Sequence, residues 1–443
     1  MHEKPPALAL GEELREQLRQ TIRDHVTQST AVSTRCFAQY AEQVALASLA
    51  MARRFHRGGR LLVFGNGSVT TDAQHIAVEF VHPVLMGKQA LPAMALTNDT
   101  AVVTGLTRDA GFEEIFARQL RVLGAPHDMA MGLSMDGNCA NVRRALETAQ
   151  AMGLLTIEVA GGEAGQSAPV AGVDYGFLIP SGQPLIIQGI LETLYHVLWE
   201  QVQLFLEQTG LLETSPRGIG EVQEADRFSQ LFYPFLHADR PESIEALLPA
   251  VQHSTLEKAR EVAALQLQVG HTCDAALVDM AAAMASAFGN GKQLFVFGNG
   301  GSATDAQKLV ADCMHPPLAN RRALPAMSLT SDVAVLSALA NDVGFANVFS
   351  RQLMAFGRSG DMALGISTSG NSENLLVAFE TARRLGLLTI GLAGYDGGQM
   401  AQTAMVDYCL VVPSDSVHRI QEVQGTILHI LWDLVQRLCE AAV

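Results

Sequence analysis

LLVFGNGSVTTDAQH (61–75) returns 233 residues later as LFVFGNGGSATDAQK (294–308), and this repeated stretch decides the fold. Each version begins with an apolar run short enough to be a buried strand, continues through a glycine-rich turn and enters a helical pattern. ALPAMALTND (90–99) returns as ALPAMSLTSD (323–332) in the same register. A register of this length is far too long for a solenoid repeat, so it predicts the duplication of a whole domain.

Within each copy, short apolar strand patterns alternate with helical patterns. Long helical segments are predicted over 11–57 and 243–290, and a last helix over 186–206 or 419–440 closes each copy. Five strand patterns lie between them. Alternation of this kind predicts an α/β fold, in which a parallel sheet is flanked by helices on both faces.

The copies divide the chain into two tandem domains, each with its own N-terminal helical segment. We predict a first domain over 1–208 and a second over 241–443. The segment 209–240 is rich in Gly, Pro and charge, which is typical of a linker.

Composition limits the classes of partner. The 443 residues are 48% hydrophobic and carry a net charge of −15, which disfavours a nucleic-acid partner. The N-terminus has no apolar core of signal-peptide length, and no apolar run reaches the ~20 residues that span a membrane. The six cysteines are scattered, as is usual for reduced thiols. We therefore expect a soluble, cytoplasmic protein that binds neither nucleic acid nor membranes.

Two polar loops follow strands of the second copy and enter helices. They are GNGGS (298–302), here called the glycine loop, and STSGNS (367–372), here called the phosphate loop. Ligands of parallel α/β sheets bind at the carboxyl ends of the strands, where helix N-termini offer free N–H groups to anions. We predict that these loops bind a phosphate through Asn299, Gly300, Ser302, Ser367, Thr368, Ser369 and Ser372.

The corresponding loops of the first copy are altered. They read GNGSV and SMDGNC, so that Val69 replaces the last serine of the glycine loop and Asp136 the central serine of the phosphate loop. A carboxylate at this position would repel phosphate. The residues that remain as sugar or phosphate ligands are Asn66, Ser68 and Ser134.

Five motifs of the second copy carry a family resemblance. FGNGGSATDAQ, NDVGFANVFSRQL, GDMALGISTSGNSENL, GLLTIGLAG and RIQEVQGTILHIL follow one another in order and at matching spacing. Together they resemble the sugar isomerase (SIS) domain of phosphoheptose isomerases, across nearly all of each copy. The resemblance implies a sugar-phosphate substrate, and it implies tetramers with active sites at subunit interfaces.

The same resemblance implies a metal site in the first copy. His75 and Glu79 lie four residues apart on a predicted helix, and Gln188 and His196 lie eight apart on the last helix. Each pair falls on one side of its helix. By resemblance these four side chains hold one zinc ion, and Glu79 and His196 transfer protons as ketose and aldose interconvert.

The second copy has Lys308, Asp312, Gln421 and His429 at these positions, and their role is open. A lysine is a poor zinc ligand at neutral pH, so we expect zinc in the first copy or in neither. One copy thus keeps the metal set and the other the phosphate loop. Either each copy decayed independently, or the copies share composite sites, in which case a homodimer would imitate the four-domain tetramer.

We therefore expect an isomerase that converts sedoheptulose 7-phosphate to glycero-manno-heptose 7-phosphate through an enediol. Lipopolysaccharide heptose synthesis is implied by the resemblance alone. One alternative is a non-catalytic protein that binds sugar phosphates or other proteins. A second is an isomerase similar to that of glucosamine 6-phosphate synthase. Leu185 and His418 replace a residue that would grip the sugar, so the substrate can differ in length or stereochemistry.

Overall fold

The structure is a computed structural model. It describes residues 7–85, 87–163, 168–208, 212 and 244–441. The predicted linker therefore lies outside the described residues, apart from Leu212. No described helix is long and apolar enough to cross a membrane.

The chain forms two compact units. The first unit is Ala31–Ala263, and the second unit combines Met1–Thr30 with Ala264–Val443. The first part of each long helical segment is thus exchanged relative to the predicted domains, because residues up to Thr30 belong to the second unit and residues up to Ala263 to the first. The exchange involves buried polar contacts, because Lys258 pairs with Glu200 in the first unit.

The first sheet and its helices follow the predicted alternation. The long first helix is one continuous element of 45 residues, and the closing helix begins at a proline. The elements are α1 (Glu12–His56), β1 (Leu61–Gly65), α2 (Val69–Val81), β2 (Ala93–Ala95), α3 (Thr100–Ala110), α4 (Ile115–Leu123), β3 (Met129–Ser134), α5 (Ala140–Ala151), β4 (Leu155–Gly162), β5 (Tyr175–Pro180) and α6 (Pro184–Glu207).

The second sheet has the same order of elements, with one further short helix. The long helix predicted over 243–290 is interrupted at Cys273, so it forms two helices. The elements are α7 (Ile244–Thr272), α8 (Asp274–Gly289), β6 (Leu294–Gly298), α9 (Gly301–Met314), β7 (Ala326–Ser328), α10 (Val333–Val343), α11 (Val348–Phe356), β8 (Met362–Ile366), α12 (Glu373–Leu385), β9 (Leu388–Gly394), α13 (Gly398–Gln402), β10 (Tyr408–Val412) and α14 (Val417–Ala441).

Both sheets are five-stranded and parallel, which confirms the predicted α/β class. Their strand orders are β2-β1-β3-β4-β5 and β10-β9-β8-β6-β7, so the two sheets share one topology. In the first sheet Leu61 pairs with Met129, and in the second Leu294 pairs with Met362. The central strands are buried along their whole length, as parallel strands covered on both faces must be.

The closing helix of each copy is buried almost all round. Nearly every residue of α6 is buried, including the polar Gln188, Glu192 and His196. A helix enclosed in this way belongs to the core, and polar side chains on it need partners there. α6 and α14 therefore carry buried functional groups toward the loops at the strand ends.

Candidate functional site

In each copy the two loops meet at the carboxyl ends of neighbouring strands. The loop after β6 and the start of α12 are joined by two amide hydrogen bonds between Asn299 and Asn374, at 3.0 and 2.9 Å. Asn66 and Asn141 form the same pair in the first copy, at 2.6 and 2.9 Å. The asparagines predicted to bind ligand thus hold the two loops together.

The phosphate loop of the second copy is lined with hydroxyls that carry no charge. Ser367 Oγ accepts the Gly370 N–H at 3.0 Å and lies 3.3 Å from Ser372 Oγ. Ser369 Oγ accepts the Asn371 N–H at 3.2 Å. Gly370 has a φ of 65°, and a Cβ there would stand 2.1 Å from the Gly397 carbonyl, so the turn requires glycine.

Other polar and glycine residues of the second copy, some of them predicted ligands, lie near this loop. Gln424 on α14 donates to the Ser367 carbonyl at 3.1 Å, which links the closing helix to the loop. Thr368 is half-buried beside it, and Ser302 is buried in the first turn of α9. Gly300, directly before α9, has a φ of 56° and is exposed at the loop tip.

In the first copy a carboxylate accepts hydrogen bonds from donor groups of the equivalent loop. Asp136 Oδ1 accepts the Asn138 N–H at 2.9 Å and the Ser134 hydroxyl at 3.2 Å. Ser134 Oγ in turn accepts the Gly137 N–H at 2.9 Å, the same turn as in the second copy. Ser68 stands at the start of α2 and makes no capping hydrogen bond through its side chain. This loop therefore holds a carboxylate at the position where the second copy has Ser369.

Three buried side chains of the first copy form what we call the histidine–glutamate cluster: His75, Glu192 and His196. One potential ligand atom from each lies within 4.8 Å of the others. His75 comes from α2, and the other two come from adjacent turns of α6. Among the described residues this is the one such group of three or more His, Cys, Asp or Glu side chains.

Glu192 is not among the ligands that the sequence predicts. The family pattern places Gln and His eight residues apart on the last helix, and Glu192 falls midway between Gln188 and His196. The spacing of four on either side was the available signal, because it places all three side chains on one face of the helix.

Neighbouring side chains orient two of the predicted metal ligands. Tyr195 Oη lies 2.9 Å from His75 Nδ1, so Nε2 is the ring nitrogen that would coordinate a metal. Gln188 donates its amide N–H to Asp72 Oδ2 at 2.8 Å, which turns its oxygen away from that carboxylate. Such outer partners fix the orientation of metal ligands in proteins.

The donor set fits a zinc ion. Two imidazoles and a carboxylate are ligands that zinc prefers, and a tetrahedral site spaces them about 3.4 Å apart, which small side-chain rotations would reach from the present geometry. Three protein ligands leave a fourth position for substrate, as in catalytic zinc sites. Glu79 is buried one turn after His75 but does not belong to the cluster.

The second copy has a cation at the metal position. Lys308 is buried, and its Nζ lies 3.7 Å from Asp305 Oδ1. Burial lowers the pKa of His429 well below its usual value, and the charges of Lys308 and His25 lower it further. Gly425 stands where the first copy has Glu192.

The two other second-copy counterparts are also buried. Asp312 lies in α9, and its backbone carbonyl accepts the Trp432 indole N–H at 3.0 Å. Gln421 lies on α14, and its Oε1 has no hydrogen-bond partner among the described residues. The composite sites predicted between copies stay a prediction, as does the homodimer.

Comparison with known proteins decides the family. The model of the SIS domain matches residues 24–161 and 259–394, which together make up more than half of the chain. The chain belongs to the SIS domain family.

Relatives of this chain include phosphoheptose isomerases. The phosphoheptose isomerase of Geotalea daltonii is 50% identical over 163 residues, which are 37% of this chain and 82% of the relative. That of Aquifex aeolicus is 43% identical over 182 residues, 41% of this chain and 94% of the relative. With such relatives matched over most of their length, this SIS protein is an enzyme of the isomerase class.

A solved structure supports the two-domain fold. The C-terminal domain of glucosamine-fructose-6-phosphate aminotransferase from Francisella tularensis matches 94% of this SIS protein, and 96% of that chain is covered, with a TM-score of 0.56. The sequences are only 9% identical, so the likeness extends to the fold alone.

Proposed function

We propose that this SIS protein is a metal-dependent aldose–ketose isomerase that interconverts sedoheptulose 7-phosphate and glycero-manno-heptose 7-phosphate. The family and the phosphoheptose isomerases among the relatives support a sugar-phosphate isomerase in general. The observation that carries the finer proposal is the buried histidine–glutamate cluster with Glu79 one helical turn away.

The reaction needs a base and a means of stabilising an enediol. Glu79 would take the proton from C1 of the ketose and return it to C2 of the aldose, while the hydroxyl proton passes from O1 to O2. His75 and His196 would hold the metal. When bound, a divalent ion supplies positive charge that stabilises the enediolate oxygens. A proton-transfer role for His196, expected from the resemblance, stays a prediction.

We place the phosphate group of the substrate in the phosphate loop of the second copy. The hydroxyls of Ser367, Ser369 and Ser372 can donate to phosphate oxygens, whereas Asp136 would repel them in the first copy. With the metal residues in the first copy and the phosphate residues in the second, each active site must combine residues of both copies. We propose that a homodimer forms these composite sites. Heptose synthesis for lipopolysaccharide and a cytoplasmic location belong to the same proposal.

One observation favours a second function for the second copy by itself. The Lys308 ammonium lies beside Asp305 at the metal position, and the phosphate loop is intact. A copy built in this way can bind a sugar phosphate without isomerising it.

The test combines metal content with catalysis. Purified wild type should carry about one zinc per chain and isomerise sedoheptulose 7-phosphate. Glu79→Gln should lower kcat by about 1,000-fold, since positioned bases contribute roughly 10²–10⁴. Asp312→Asn, the matched change in the second copy, should leave kcat unchanged within about threefold. An inactive, metal-free wild type would overturn the proposal in favour of a sugar-phosphate-binding protein.

A further inference from the structure

The two copies provide an internal comparison of carboxylates near the metal position. Position 79 keeps its carboxylate in both copies, as Glu79 and Asp312. Position 192 does not, because Glu192 is replaced by Gly425 in the copy whose histidine ligand has become Lys308. The carboxylate that disappears together with the histidine ligand is thus Glu192.

Geometry selects the same residue. Glu192 brings a carboxylate oxygen within 4.8 Å of one ring nitrogen on His75 and one on His196, whereas Glu79 does not belong to that group. Glu192 and His196 are one turn apart on α6, and both are fully buried, at 0% exposure. A helix face that offers ligands at i and i+4 is rigid support for a metal.

Charge gives a third argument. A fully buried carboxylate is costly unless a positive charge offsets it. A divalent ion bound by Glu192 would supply such a charge. In the second copy this carboxylate is replaced by Gly425, and the buried Lys308 ammonium lies beside Asp305.

From these observations we infer that Glu192 is the carboxylate ligand that anchors the divalent ion with His75 and His196, and that Glu79 is a base that does not bind the ion. The inference rests on the proposed metal site of the first copy. Metal binding and proton transfer then belong to two different glutamates, whereas the family resemblance implies both roles for Glu79. A carboxylate bound to a metal is a weaker base, so the separation keeps Glu79 effective in proton transfer.

The experiment measures metal affinity apart from catalysis. The full chain is stripped with a chelator and titrated with Zn²⁺ against a chromophoric competitor, and with Co²⁺ by visible absorption. Glu192→Gln should weaken Zn²⁺ binding by about 100-fold or more and alter the Co²⁺ spectrum, because it removes a ligand. Glu79→Gln should bind both ions within about threefold of wild type while losing isomerase activity. Asp312→Asn in the second copy is the matched control and should bind like wild type.

Stability checks the folding of the variant. Stripped Glu192→Gln should unfold at a temperature at least as high as stripped wild type, because the buried charge is gone, and Zn²⁺ should stabilise only the wild type. If Glu192→Gln does not fold, Glu192→Asp replaces it, with an expected loss of about tenfold in affinity.

Each outcome decides between the two glutamates. Unchanged affinity in the folded Glu192 variant would overturn the inference. A loss of affinity in Glu79→Gln would also overturn it and leave the isomerase proposal standing. A wild type that binds neither ion would overturn it as well, and turnover by that stripped protein would show that isomerisation needs no metal.

Discussion

The metal position of the first copy and its counterpart in the second differ by an exchange of charge. His75 and Glu192 in the first copy offer an imidazole nitrogen and a carboxylate, which are ligands that zinc prefers. Lys308 and Gly425 in the second offer an ammonium and no carboxylate. The second copy therefore carries its own cation at the position where we propose that the first binds one.

The phosphate loops of the two copies also differ in charge, but here it is the first copy that carries the additional charged group, and the charge is negative. Asp136 accepts the loop donors of the first copy, whereas Ser369 leaves the second loop neutral. Each copy thus contains a side chain with the charge of the ligand that, in our proposal, only the other copy binds. Independent decay would not be expected to match the signs in this way, so the comparison favours specialisation of the two copies.

The largest effect should come from transferring the anion between loops. Ser369→Asp introduces into the second copy the carboxylate that the first copy has at Asp136. This carboxylate would lie within about hydrogen-bonding distance of the proposed phosphate. Repulsion of about 4 kcal/mol at an effective dielectric constant near 20 should raise KM for the sugar phosphate about 1,000-fold. Steady-state kinetics with sedoheptulose 7-phosphate measures this change.

The reciprocal variant is the control for this prediction. Asp136→Ser should change KM by less than about threefold, because the first loop is not proposed to hold the phosphate. If Asp136→Ser lowers KM strongly while Ser369→Asp has no effect, the first copy binds its own phosphate and the specialisation is disproved.

A smaller effect is expected from removing the internal cation. Lys308→Met leaves the buried Asp305 carboxylate without its neighbouring ammonium, at 3.7 Å in the wild type. Breaking a buried ion pair from one side costs about 3 kcal/mol of unfolding free energy. Each unit contains one tryptophan, so denaturation followed by Trp432 fluorescence in a Trp199→Phe background reports on the second unit.

Lys292→Met controls for the loss of a lysine as such. Lys292 is only half-buried and donates to the Ser359 carbonyl at 2.9 Å, so its removal should cost less than about 0.5 kcal/mol. Equal losses in the two variants would show that the Lys308 charge does not balance Asp305.

Much of the fold was predictable because strands and glycine turns leave local patterns. The apolar runs at 61–65 and 294–298 predicted the central strands, and the repeat predicted two sheets of one topology. The exchange of helical segments was not predictable. An amphipathic helix shows which face is buried but not which core it packs against, and α1 and α7 each contribute to both units.

The candidate site was predictable only in part, for a similar reason. His75 and His196 were found through family spacing, and the structure brings their rings to a centroid distance of 5.3 Å. Glu192 was not predicted because the family pattern does not include it, although its spacing of four from Gln188 and His196 places it on their helix face. Asp136 was predicted only as a departure from the family sequence. Which buried charges balance each other depends on distances between α2 and α6, and these are set by tertiary packing.

The smallest predicted effect is a dependence of stability on pH that distinguishes the units. Burial lowers the pKa of His25 to about 4, partly opposed by Asp433, and lowers that of His429 well below its usual value. Both are bases whose pKa falls on folding. As pH drops below about 6.5 the unfolded chain takes up protons that the folded second unit does not, so stability falls until the folded pKa is reached. We expect the thermal midpoint of the second unit, followed by Trp432, to fall by several degrees between pH 7 and pH 5. A His25→Gln and His429→Gln double variant should show a clearly shallower decline, because it removes both protonation sites. If the thermal midpoint of the double variant falls as steeply as that of the wild type, the pH dependence comes from other groups and not from His25 and His429.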